Sequence, residues 1–101
     1  MVDFTVPEQS RNPHRHLAPI SHPGTILAEE LEARAMTQKA LAEAMGRSPN
    51  VVNAIIQGKK AITAETAIQL ERALGIEAGF WLRYQAEYDL ARARARLART
   101  G

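Results

Sequence analysis

Asn50, Asn53 and Gln57 carry carboxamides at positions i, i+3 and i+7. On a helix that spacing puts all three on one face. A carboxamide offers a donor and an acceptor in one plane, which matches N6 and N7 of adenine in a DNA major groove, so the chemistry expected here is direct reading of base edges. Ser48, Pro49 and Ala54 fall on the same outward face once Val52, Ile55 and Ile56 are assigned to the core or its margin. No acidic residue lies between Glu43 and Glu65, whereas Arg47, Lys59 and Lys60 do, so the local field favours phosphate. Gln38 can add a neutral phosphate contact.

These side chains need a particular scaffold, and the stretch from Gln38 to Gln57, QKALAEAMGRSPNVVNAIIQ, supplies it. Two short helices cross steeply over a tight turn when the first is small at the crossing, the turn tolerates positive φ and the second turns apolar residues inward. Ala42, Gly46 and the pair Val52 and Ile55 meet these demands, and Leu41 and Met45 give the first helix its matching stripe. Thr37 and Gly46 mark the ends of the first helix, Ser48 and Pro49 the start of the second, and Gly58 its close. Ordinary all-α packing is the competing reading, but it leaves the exposed amides without a role.

The chain has 101 residues, 46% of them hydrophobic, and a formal net charge of +2. That is one domain with a modest core, which dimerisation would help. With no cysteine, disulfides and thiolate metal sites are excluded, and the lack of a secretory or long apolar segment makes the cytoplasm the expected compartment, with no membrane partner. Much of the basic excess sits in the C-terminal ARARARLAR, so the charge alone says little about DNA.

Residues 1–21 hold three of the five prolines and no helical period, and are predicted to form an extended or mobile arm. The remainder, 22–101, is predicted to be the helix-turn-helix DNA-binding domain with a C-terminal helix for dimerisation. A first helix starts at Pro23, with Ile26, Leu27 and Leu31 inward, and ends near Ala35. A fourth runs from its cap at Thr63 to Gly75, with Ala67, Leu70, Leu74 and Ile68 as its apolar side. A fifth begins about Ala78. The predicted fold is all-α, five helices around one core in a phage-repressor-like arrangement.

The segments HPGTILAEEL, TQKALAEAMGRSPNVVNAIIQGKKAITAETAIQLERALG and FWLRYQAEYDLARAR, in this order, resemble the HigA (VapI-like) antitoxins, a branch of the Xre-type helix-turn-helix proteins. The likeness runs from His22 to about Arg94. It implies an antitoxin that binds a small RelE-like, or HigB-like, mRNA-cleaving toxin and represses its own operon as a homodimer on a palindromic operator. Carried over by position, it implies reading by Ser48, Asn50, Asn53 and Gln57, with Gln38, Lys59 and Lys60 on the backbone. A free-standing Xre-type repressor without a toxin is the alternative.

Trp81, Tyr84 and Tyr88 form a stripe on the last helix that suits a ligand pocket, a core face or a dimer seam; core plus dimer seam is the reading adopted. No small-molecule ligand or cofactor is expected. His14, His16 and His22 lack a third ligand at fixed spacing, so no metal site is assigned. Glu29, Glu30 and Glu32 are a solvated face, or the acidic surface that meets a basic toxin. Arg92, Arg94, Arg96 and Arg99 receive no site. With no HExxH and no Gly-rich phosphate loop, an enzyme is not expected.

Overall fold

Local signals already set most helix limits, and the computed structural model, which describes residues 20–100, follows them. Five helices appear in order: α1 (Pro23–Ala33), α2 (Gln38–Met45), α3 (Pro49–Ile56), α4 (Ala64–Leu74) and α5 (Ala78–Thr100). Among the described residues there is no strand. His14, His16 and nearly all of the predicted arm lie outside the described residues.

The caps do the work expected of them. Thr37 Oγ1 accepts from the Ala40 N–H at 3.0 Å and Thr63 Oγ1 from the Thr66 N–H at 3.3 Å, each satisfying a donor that the first turn leaves open. Ser48 stands at the cap position of α3 but makes no side-chain cap bond. At the other ends, α2 and α3 close on glycines in the left-handed region, Gly46 at φ 74° and Gly58 at φ 77°. In each case the next two N–H groups turn back to the last helical carbonyls.

Helix α1 closes by the same device without a glycine. The Ala35 N–H reaches the Glu32 carbonyl and the Met36 N–H the Leu31 carbonyl, with Ala35 itself at φ 54°. A Cβ in that region is strained. Ala35→Gly is therefore expected to stabilise the domain by roughly 0.5–1 kcal/mol in urea unfolding, since relief of strain exceeds the added flexibility of the unfolded chain. Equal midpoints for the two proteins would contradict this.

Helix α2 packs on α3 and α4, α1 on α3 and α5, and α4 on α5. The core between them holds Leu27, Leu31, Leu41, Ala42, Met45, Val52, Ile55, Ile62, Ala67, Leu70, Leu74 and Trp81. Ile68 departs from expectation. It is 43% exposed, because it follows Ala67 and is turned about 100° away from the line of Ala67, Leu70 and Leu74.

Gly24 shows why α1 begins as it does. A Cβ there would overlap the Ile55 carbonyl oxygen and stand 2.9 Å from the Ile56 Cα, so α1 meets the end of α3 backbone to backbone. Buried Gln85 of α5 accepts the Ile62 N–H at 2.8 Å and donates to Asp89 at 3.0 Å. That pins the loop after α3 to α5 and satisfies a backbone donor that burial would otherwise leave open.

Candidate nucleic-acid interface

The two-helix unit presents its amides as its spacing implies. Ser48, Pro49, Asn50 and Gln57 are exposed, and Asn53 and Ala54 are half-buried, while Val52 and Ile55 are fully inside. The sequence did not reveal one contact: Asn53 Nδ2 donates to Gln38 Oε1 at 3.2 Å, across the junction of α2 and α3. That bond uses one of the two Asn53 amide hydrogens and leaves its carbonyl oxygen and second hydrogen for a partner. Gln38 thereby fixes the orientation of the Asn53 amide, and a side chain held in place loses less entropy on meeting a partner.

The basic residues divide. Lys59 is exposed and Lys60 half-buried at the end of α3, open to phosphate. Arg47 is turned the other way: its Nη1 donates to Gln69 Oε1 at 2.7 Å and to Thr66 Oγ1 at 3.4 Å on α4. Arg47, expected to contact phosphate, thus ties the turn to α4 through Nη1 in the free protein.

His22, whose part in starting α1 was expected, joins three elements at the edge of this surface. Its Nδ1 accepts the Gly24 N–H at 2.8 Å, and its ring meets that of Tyr88 edge-on at 5.0 Å. Burial lowers its pKa below 6.5 and Arg92 acts in the same sense, while Asp89 and a hydrogen bond to the Lys60 backbone oppose them. A protonated Nδ1 cannot accept from Gly24. Because the folded pKa lies below that of the unfolded chain, His22 favours folding fully above pH 6.5, and that contribution is lost as pH falls from 6.5 toward the folded value. His22→Asn keeps a capping acceptor without the titration. The stability difference between wild type and His22→Asn is expected to shift against wild type between about pH 7.5 and about 5.5. Parallel pH profiles would refute it.

Of the stripe expected to serve as core plus dimer seam, Trp81 belongs to the core alone. Trp81 has no exposed surface; it fills the core, with Phe80 edge-on at 5.2 Å, and so offers nothing to a second copy. Tyr88 is packed against His22 and its hydroxyl accepts from Arg92 at 3.1 Å, and Tyr84 lies tilted on Phe80. Instead, Leu82 and Leu90 are exposed, at 36% and 50%, on the opposite side of α5. Phe80, Arg83, Tyr84 and Glu87 line a shallow, open depression.

On α1, Glu29 and Glu32 are exposed, whereas Glu30 is engaged with Arg34 at 3.0 Å. Among the described residues no three His, Asp or Glu side chains gather where they could hold a metal. No described helix is long and apolar enough to cross a membrane.

A cap, a left-handed glycine turn and a second helix bearing exposed amides define a helix-turn-helix DNA-binding domain, and the helix-turn-helix family model matches residues 27–81. The chain is 44% identical over 72 residues to antitoxin HigA-1 of Vibrio cholerae, covering 71% of this chain and 68% of that one. An addiction-module antidote protein of the HigA family from Coxiella burnetii superposes with a TM-score of 0.77 at 37% identity, over 82% of this chain and 91% of the other. Pseudomonas aeruginosa antitoxin HigA, solved with the higBA promoter, gives 0.76 at 38% identity, over 80% and 89%. The chain belongs to the HigA-type antitoxins of the Xre-like helix-turn-helix family.

Proposed function

We propose that this protein represses its own operon by binding the operator as a homodimer, and neutralises a RelE-like mRNA endonuclease toxin. The observation that carries the operator reading is the outward face of α3, where Asn50, Asn53 and Gln57 present amides and Gln38 already orients Asn53. Each α3 enters a major groove, Asn50 and Asn53 read base edges, and Lys59 and Lys60 hold phosphates. That Pseudomonas aeruginosa HigA, a relative of the same fold, was solved with the higBA promoter supports promoter binding as the role of this fold.

For the dimer, the seam lies on the side of α5 away from Trp81. Leu82, Ala86, Leu90 and Ala93 succeed one another at four, four and three residues, the spacing of one helix face. Leu90→Glu is expected to convert a dimer into a monomer in sedimentation velocity and to weaken operator binding, with the helical circular dichroism retained and the melting temperature lowered by the lost association. A dimer of unchanged stability would exclude this seam.

Glu29 and Glu32 are the acidic side chains proposed to meet a basic toxin, where charge complementarity steers association. The direct test is co-expression with the products of neighbouring small reading frames, scoring growth rescue and co-purification. A toxic neighbour whose effect is relieved, with a stable complex, supports the antitoxin role. Soluble, folded protein with no partner and no rescue leaves a repressor alone.

A further inference from the structure

Helix α5 is 23 residues long, about 35 Å, longer than any element it packs against. Its inward face carries Trp81, Gln85 and Tyr88, all committed to the body of the domain. Continued along the same face, the next positions are Arg92, Arg96 and Arg99. The face that is apolar over the core thus becomes cationic where the core ends. Arg94 is turned away from it.

Arg92 stacks its guanidinium over the Tyr88 ring, 5.6 Å from the centroid, and lies close enough to His22 to help lower its pKa. The His22 ring in turn faces Gly58, where an added Cβ would lie 3.7 Å from it, and bonds the Lys60 backbone, the segment that leaves α3. A short path therefore joins Lys59 and Lys60 to Arg92, and Arg96 and Arg99 prolong it by about 10 Å. All three arginine side chains are exposed. Those of Arg96 and Arg99 have no hydrogen bond or ion pair among the described residues.

We infer that Arg92, Arg96 and Arg99 form a second phosphate-binding strip, continuous with Lys59 and Lys60, that grips operator backbone beside the bases α3 reads. The inference rests on the operator reading above. A cationic face at the edge of the reading surface fits a polyanion passing along that edge, and guanidinium forks suit phosphate oxygens. It fits poorly the basic toxin proposed for Glu29 and Glu32, since like charges face each other there. The contact is with backbone, so it adds affinity without sequence preference.

The test is the salt dependence of binding by the full chain to a duplex from the region upstream of its coding sequence and to a scrambled duplex of equal length. Arg92→Gln, Arg96→Gln and Arg99→Gln combined should lower the slope of log K against log salt by about one for each arginine engaged, hence by roughly 2 to 6 for a dimer. The ratio between the two duplexes should stay as in wild type, and the triple lysine variant should restore most of the slope. Circular dichroism and sedimentation confirm that the glutamine variant is folded and of unchanged mass. Wild type that prefers the upstream duplex, with a glutamine variant of identical slope, overturns the strip and leaves the operator reading intact. A changed mass with an unchanged slope also overturns it, placing the arginines at a contact between copies. Wild type that binds neither duplex overturns both.

Discussion

Asn53→Ala is expected to abolish most operator discrimination while leaving the fold intact. Asn53 is half-buried at the junction of α2 and α3, and its amide is held by Gln38 at 3.2 Å with a carbonyl oxygen and one hydrogen to spare. Removing it should delete the proposed bidentate base contact, worth about 1–3 kcal/mol in each half-site, and release Gln38 as well. On a two-half-site operator that is roughly 30-fold or more in affinity, whereas binding to scrambled DNA, which rests on phosphates, should hardly change. Asn50→Ala should act in the same direction with a smaller effect, because Asn50 is exposed and lacks the Gln38 brace. Lys59→Ala or Lys60→Ala should instead weaken binding to every sequence and flatten the salt dependence. Equal affinity of the Asn variants for cognate and scrambled DNA, both as in wild type, would show that α3 reads with other residues.

Gly24→Ala is expected to be the most damaging single methyl addition in the chain. The new Cβ would occupy the Ile55 carbonyl, and the obstacle is backbone, so no rotamer change relieves it. Either α1 retreats from α3 or the end of α3 unwinds. Both outcomes disturb the contact of Leu27 and Leu31 with the core, and the expected cost is about 3 kcal/mol or more. In a domain of this size that lowers Tm by about 12 °C or more. If α3 carries the reading residues as proposed, operator affinity should fall together with stability, unlike Asn53→Ala, which should leave the melt unchanged. A Gly24→Ala protein melting within a degree or so of wild type would mean that α1 and α3 do not meet at this glycine.

These two residues also show what a sequence can and cannot disclose. The amide face was legible because helical spacing alone puts Asn50, Asn53 and Gln57 together, and the caps at Thr37 and Thr63 and the glycine at 46 left little freedom in the helix limits. The close of α1 was less legible, since Ala35 adopts a conformation normally signalled by glycine. Contacts between distant residues were not legible at all. Arg47 could be read as cationic but not as turned toward Gln69, and nothing in the spacing of Trp81, Tyr84 and Tyr88 separates a core face from a seam. The spacing left Trp81 open to core and seam alike because a helix face records only that apolar residues are hidden, not whether the same chain hides them. Gln85 was missed for a related reason: a lone polar residue among aromatics gives no sign that a backbone N–H from the loop at Ile62 will need it.

A hydroxyl-radical footprint of the region upstream of the protein's own coding sequence tests the central claim most directly. The expected pattern is two protected stretches on one face of the duplex, centred about one helical turn or roughly 34 Å apart, present with wild type and absent with Asn53→Ala at the same concentration. Uniform protection that is the same on upstream and scrambled DNA, and the same for both proteins, would contradict it.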